Sequence, residues 1–345
     1  MAQTVSEPTA PADPLELVAG DAQPVSDVSQ RALVINLLIN ARRNSNVRAY
    51  PYYLKTRFTA FGSSSSDGSW QLEDMAQSGL GYRWTAQGPS YSAINVYSNG
   101  VLYSNQPSTS VPLRLAQVRA AIFFVQPMLG PRASLRTAAA NLNGVELTCA
   151  LVSHGELAKN TTGGRRWAEE EYCIDAHSGN LITHSPAPGL YVLYDYSKAL
   201  HFHEKTIANN FTITQGGRIV IEAQTDSVAD ATENAAAFQP TGLNTIGVGS
   251  IMTAPWQFRM RAPASTAVTN GSMQLVVVHG MQAPDGHLSE VELISSTNAS
   301  LDSAALDYAR SWQFGVRGED VEAGATPQSH ELILTLQFGG VPVQQ

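Results

Sequence analysis

The sequence predicts an α+β protein: a large antiparallel curved sheet, a half-barrel accompanied by a helix, followed by a small two-layer α/β sandwich. Three observations predict it. Apolar residues make up 43% of the 345 and charged residues only 14%, with Gly, Ser, Thr, Asn and Gln plentiful, which suits short strands joined by turns. Alternating runs bounded by Gly, Ser and Pro recur from Tyr52 to Thr225, and after Pro263 the pattern becomes strand, strand, helix, strand. At roughly 150 residues per domain, this length implies two domains or three.

Residues 1–26 are rich in Pro, Ala and acid without periodicity, so they are expected to be a disordered tail. The start, Met1-Ala2-Gln3-Thr4, lacks the basic and apolar regions of a signal peptide. Either the chain is cytosolic or it is a processed bacterial export product with an added Met; Ala-Gln-Thr before a Pro/Ala/Glu run favours the second, and with it the periplasm. No run approaches the ~20 apolar residues of a membrane span; the best, Ala32 to Ile39, is interrupted by polar residues. The net charge is −8 and basic residues cluster no further than Arg42-Arg43 and Arg165-Arg166, which excludes a phosphate-neutralising surface and hence nucleic-acid partners.

A first domain is expected over 27–240. Val28, Ala32, Ile35, Leu38 and Ile39 recur at helical spacing after Ser26 or Asp27, either a plausible N-cap. Strands follow at Tyr52–Phe61, Ser69–Asp74, Gly81–Thr85, Ser90–Tyr97 and Val101–Ser104. Leu113–Phe124 is a second helix, with Leu115, Val118, Ile122 and Val125 on one face. Strands resume at Val145–Val152, Tyr172–Asp175, Leu181–Thr183, Leu190–Tyr194, His201–Ile207 and Arg218–Thr225. Cys149 and Cys173, the only cysteines, lie in two of these strands. They face each other as a disulfide of an oxidising compartment, or they are two buried free thiols. Residues 241–264, broken by Gly and Pro, read as a boundary before a second domain, 265–345.

In that domain Met273–Met281 and His287–Ile294 form a hairpin about Pro284-Asp285-Gly286. Ser300 caps a helix in which Leu301, Ala305, Ala309 and Trp312 share a face, and Glu331–Phe338 is the closing strand. Asp285-Gly286, Ser295-Ser296, Leu301-Asp302, Ala304-Ala305 and Trp312-x-Phe314 occur in the order and spacing of the TonB C-terminal family, which Met273 to Gly339 resembles. Val316 replaces that family's usual Pro, and Gly324-Ala325-Thr326-Pro327 replaces a shorter turn. The resemblance implies docking by strand addition to an extended segment of an envelope protein or TonB-dependent receptor. Glu331, Ile333, Thr335 and Gln337 would lie on the pairing edge; the same edge could instead pair two copies into a homodimer. The membrane helix of an energy transducer has no counterpart here.

From Asp27 to Phe238 the opening helix, the strand series and Tyr172-Cys173-Ile174-Asp175 before Ser178-Gly179-Asn180-Leu181 resemble the LolA/LolB-like lipoprotein-carrier superfamily. That resemblance implies an apolar groove for acyl chains, with Tyr52, Phe58, Trp70, Tyr82 and Trp84 as candidate lining residues; ordinary core packing would also explain them.

Other chemistry is sparse. His201-Phe202-His203 puts two imidazoles on one strand face without a third ligand fixed by the sequence, so no metal is assigned. Glu169-Glu170-Glu171 reads as a solvated hairpin face, and His154 as a strand-end residue. Hydrolase-elbow, phosphate-loop, dinucleotide and Cys-x-x-Cys motifs are absent from the sequence, so no catalytic residue or cofactor is assigned. The chain is therefore expected to be a non-enzymatic envelope binding protein that docks a partner in transport across the envelope. The alternative expectation is a lipid or lipoprotein carrier.

Overall fold

Alternation decides the strands of the large sheet: Tyr52, Leu54, Thr56, Phe58 and Ala60 are buried at every second position while Lys55 and Arg57 face solvent. A computed structural model describes residues 22–62, 65–107, 109–123, 129, 133–153, 165–232, 234–248, 255–262, 273–313 and 329–339. The chain opens with β1 (Gln23–Pro24) and α1 (Val28–Ser45). It then forms β2 (Tyr52–Ala60), β3 (Gly68–Gln77), β4 (Gly81–Gln87), β5 (Ser92–Ser98) and β6 (Val101–Ser104), and crosses through α2 (Leu113–Ile122). A second series follows: β7 (Ser134–Leu142), β8 (Val145–Ser153), β9 (Glu170–Asp175), β10 (Leu181–Ala187), β11 (Leu190–Asp195), β12 (Leu200–Phe202), β13 (Lys205–Ile207), β14 (Asn210–Gln215) and β15 (Arg218–Asp230). Then come β16 (Asn244–Val248), β17 (Trp256–Arg261), β18 (Gln274–Gln282), β19 (Leu288–Ser296), α3 (Asp302–Ser311) and β20 (His330–Phe338).

One open sheet of 14 strands runs β1-β7-β8-β9-β10-β11-β14-β15-β2-β3-β4-β5-β6-β16, its two meanders meeting where β15 lies antiparallel to β2. A second sheet runs β17-β20-β18-β19. The large open antiparallel sheet with few helices matches the expected fold class, whereas the second sheet has four strands, with β17 added to the expected three. Cys149 lies directly opposite Cys173 across β8 and β9 and is joined to it by a disulfide, with Cα atoms 4.0 Å apart.

Several expectations need correction. The segment 241–264 is not merely a connector: β16 adds to β6 of the large sheet, and β17 pairs parallel to β20. His201–Ile207 is a hairpin, β12–β13, with His203 in its turn at φ 52°. The two imidazoles therefore do not share a strand face; His203 Nε2 instead lies 2.8 Å from Asp230. Asp27 caps α1 by accepting from the Gln30 N–H, but the helix buries Leu38 and Ala41 while Val28 and Ala32 stay exposed. The cap near α3 is Asn298, whose side chain accepts from the Ser300 N–H at the start of a 3-10 turn. Glu169 and Glu171 are buried rather than solvated: Glu169 pairs with Arg136 at 3.1 Å, and Glu171 lies 3.9 Å from Arg165. His154, Phe314, Val316 and residues 324–327 lie outside the described residues.

The core is layered. α1 covers β7–β10 through Leu38, Ala41, Leu135, Ala150, Val152, Tyr172, Ile174 and Leu181. α2 lies in the hollow of the large sheet, where Leu115, Val118 and Ala121 join one core with residues of β2–β5 and β10–β15. That core extends into the second sheet through Leu275, Val277, Ile294 and Ile333. The second sheet's opposite face packs Val276, Val278, Leu332, Leu334, Leu336 and Phe338 against Leu301, Ala305 and Ala309. Burial on both faces explains why β18 and β20 read as near-continuous apolar runs.

Candidate functional site

The hollow of the large sheet is built by period-2 alternation on β2, β3 and β4, which turns Tyr52 and Phe58, Trp70 and Leu72, and Tyr82 and Trp84 to one face. Phe58 stacks on Trp70 at 5.5 Å, and Tyr91 lies against the same indole. The five proposed lining residues, Tyr52, Phe58, Trp70, Tyr82 and Trp84, therefore do share the hollow, but all are buried under other parts of the chain.

The cover is α2 and the second sheet. Leu113, Arg114, Leu115, Gln117, Val118, Arg119 and Ala121 of α2 are all buried, so the helix has no solvated charged face, and its polar groups must find partners inside. β19 supplies several of them. Glu290, at φ 53°, accepts from the Leu113 N–H (3.2 Å) and the Ser66 hydroxyl (2.7 Å), capping the first turn of α2. Glu292 accepts from Arg114 at 2.7 Å and from Gln215 of β14 at 3.0 Å, so one carboxylate ties the helix, the large sheet and the second sheet together. At the other end of α2 the Tyr194 hydroxyl donates to the Ala121 carbonyl. Gly189, at φ 87° in the β10–β11 turn, admits Ile294 of β19: a Cβ there would stand 2.9 Å from the Ile294 carbonyl.

Behind Glu292 sits His279, fully buried, with Nε2 3.4 Å from Glu292 and Nδ1 3.7 Å from Glu331. Burial alone would lower its pKa, but the carboxylates of Glu292 and Glu331 outweigh it and hold the value above the ordinary one. Glu292 is held below its ordinary value by His279 and Arg114 against its own desolvation.

A second polar cluster lies on the hollow's floor. Asp74 is buried on β3 in phase with Trp70 and Leu72, and it accepts from the hydroxyls of Tyr52 (2.6 Å) and Tyr82. Desolvation pushes its pKa up to about 6, against the pull of Arg119, the two phenols and Arg48. Arg119 donates to the Tyr82 hydroxyl at 2.7 Å and lies over Trp84, while Arg48 lies over Phe123 at 4.2 Å.

Among the described residues, a water-sized void of ≈ 30 Å³ lies between α2 and the sheet, lined by Val47, Leu54, Ala121, Ile122, Tyr194 and Phe211 among others, and a second of the same size lies between Gln117, Ala120 and Ala121 and the strands β10, β11 and β14. A larger cleft of ≈ 460 Å³ opens at the seam of the two sheets, between Trp167, Glu170 and Ala187 on one side and Trp256, Phe258, Arg259 and Thr335 on the other.

The expected docking edge needs correction. β20 is an inner strand, flanked by β17 and β18, so its backbone groups are engaged on both sides. Glu331, Ile333, Thr335 and Gln337 lie on the face turned to α2 and the large sheet rather than on an edge, and Ile333 belongs to the shared core. The pairing strand β17 came from the segment read as a boundary. No described helix is long and apolar enough to cross a membrane. The cluster Cys149, Glu171 and Cys173 has the proximity of a metal site, but the disulfide uses both thiols.

The floor cluster has a signal in the sequence: in the run Ser69 to Asp74, the alternation that turns Trp70 and Leu72 inward turns Asp74 inward too. Arg114 and Arg119, inside an apolar helix pattern, are a signal of the same kind. Glu290 and Glu292 carry none, because their partners are remote in the chain.

No protein-family model matches the sequence, and no curated protein matches it. Solved structures to which the chain is similar include a LolA superfamily protein from Nitrosomonas europaea, at 8% identity and TM-score 0.40, covering 59% of this chain and 96% of that one. A DUF1329 family protein from Desulfovibrio piger is 7% identical with TM-score 0.39, covering 62% and 98%. A putative outer membrane lipoprotein-sorting protein domain from Vibrio parahaemolyticus is 9% identical with TM-score 0.36, covering 59% and 95%.

Proposed function

We propose that the protein is a periplasmic, non-enzymatic carrier of acyl chains or lipid-bearing partners. Its working surface is the hollow of the large sheet, and the arrangement described above is its closed form. The observation that carries this reading is the state of α2: a helix buried all round, lying on an aromatic floor and held by carboxylates of a different unit. Its seam is poorly satisfied, since Arg114 Nε, Gln117 Nε2, Arg119 Nε, Thr56 Oγ1 and Thr214 Oγ1 are buried without hydrogen-bond partners. Buried unpaired polar groups cost about 1–3 kcal/mol each, so a ligand that displaces the helix from the floor relieves that cost. The disulfide supports an oxidising compartment.

Uptake of cis-parinaric acid by the full-length protein tests the reading. Glu292→Gln weakens the clamp by leaving Arg114 without its carboxylate, and Glu290→Gln weakens the cap of α2. Both variants are expected to take up the probe several-fold faster than the parent. Absence of uptake by the parent and both variants, with the fold intact by near-ultraviolet circular dichroism, rejects the carrier reading.

A second reading, docking of an extended envelope-protein segment, is favoured by the seam cleft, whose volume and aromatic walls suit a peptide side chain. Peptide binding that is abolished by Thr335→Trp and unaffected by Glu292→Gln would place the activity there.

A further inference from the structure

The floor of the hollow holds more positive charge than it can pair. Arg48 and Arg119 both approach the Tyr82 ring, at 5.5 and 6.0 Å from its centroid, and the nearest carboxylate is Asp74. Its two oxygens are already engaged by the phenols of Tyr52 and Tyr82. Nε and Nη2 of Arg48 and Nε of Arg119 are buried without hydrogen-bond partners, and Arg119 is 9% exposed. A guanidinium never deprotonates in a protein, so these N–H groups remain donors in search of an acceptor. Cation–π contacts with Phe123 and Trp84 soften the deficit but offer no acceptor oxygen.

The surroundings say what kind of acceptor fits. Val47 and Ala121, sequence neighbours of Arg48 and Arg119, line the water-sized void under α2, which neither guanidinium enters. Its walls are mostly apolar, with Leu54, Ile122, Leu181 and Phe211 beside Ser45, Tyr194, Tyr196 and Thr225. The floor of the hollow therefore sets two cations among the apolar side chains that α2 covers.

We propose that Arg48 and Arg119 form the head-group site for an anionic amphiphile, a carboxylate or phosphate ester whose acyl chain lies along the apolar floor beneath α2. This rests on the carrier reading and specifies its ligand: an ionised head group is bound, and a neutral lipid of the same chain is discriminated against. Asp74 opposes the head group electrostatically, and its two oxygens are engaged by the phenols of Tyr52 and Tyr82.

The test is equilibrium binding to the full-length protein of three probes: oleate, oleyl alcohol and inorganic phosphate. Arg48→Gln and Arg119→Gln are each expected to weaken oleate by roughly tenfold, the equivalent of one charge-assisted hydrogen bond, and to leave oleyl alcohol within about twofold. Arg48→Lys should restore much of the loss, since it keeps the charge. Asp74→Asn, which removes no cation, should tighten oleate and serves if an arginine variant fails to fold. Oleate and oleyl alcohol bound equally well, with no response to the arginine or Asp74 variants, would overturn the proposal and leave the carrier reading standing. Phosphate binding that depends on the arginines without oleate binding would overturn it in favour of a small-anion site. If neither long-chain probe binds, the carrier reading falls and the proposal with it.

Discussion

At the scale of single residues, the decisive feature is the placement of ionisable groups where the strand and helix patterns call for apolar ones. Asp74 is the simplest to test. Its carboxyl is pushed up to about 6 in the folded protein from an ordinary value of 3.8. A raised folded value means that its contribution to stability is greatest below the unfolded value and is lost as the pH rises through the folded one. Two units of such a shift correspond to about 3 kcal/mol. Asp74→Asn is therefore expected to flatten the fall in melting temperature between about pH 4 and pH 6 and to stabilise the protein at neutral pH, as thermal melts across that range would record. An unchanged pH profile would show that Asp74 titrates normally. The aromatic partners of this residue were legible in the sequence because alternation alone assigns a face. Arg119 left a mark as a charge inside an apolar helix pattern, but its partner did not follow from it, and Arg48, which arrives from a 3-10 turn, left none.

At the scale of elements, the sequence announces what is local and hides what is remote. β2, β6, α1, α2 and the β18–β19 hairpin follow from alternation, helical spacing and an Asp-Gly turn whose Gly286 adopts φ 88°. β7 escaped because Ala138-Ala139-Ala140 has little strand preference and gains its place by pairing with β8. β17 escaped because its partner, β20, follows it by dozens of residues, and with it went the identity of the sheet's edge. The grip of β19 on α2 is of this remote kind, and its pH dependence is testable. His279 is held above its ordinary value by Glu292 and Glu331, so its stabilising contribution is complete below the unfolded value and is lost as the pH rises through the raised one. The groups facing it from the packed elements are Glu292 of β19 and Glu331 of β20, and Glu292 is in turn bonded to Arg114 of α2 and Gln215 of β14. Amide exchange of β19 and α2 should therefore quicken on the alkaline side of the histidine transition. In His279→Gln that step should be absent, and a step that survives the substitution would assign it to another group.

At the scale of the whole molecule, the two sheets act as one body. Leu275, Val277, Ile294 and Ile333 belong to the same core as the floor of the hollow, so the second sheet is a cover for it. The covalent link between β8 and β9 lies outside this region and stabilises the far half of the large sheet by about 3–4 kcal/mol on the chain-entropy account. The most direct test of that arrangement is hydrogen exchange of the full-length protein, followed over residues 113–122 and over β2–β4, with and without saturating oleate. The account predicts that oleate makes α2 exchange faster as it leaves the floor, while β2–β4 exchange more slowly beneath the bound chain. An α2 equally protected in both conditions, with no change in β2–β4, would contradict it and leave the hollow as the packed interior of a protein that works elsewhere.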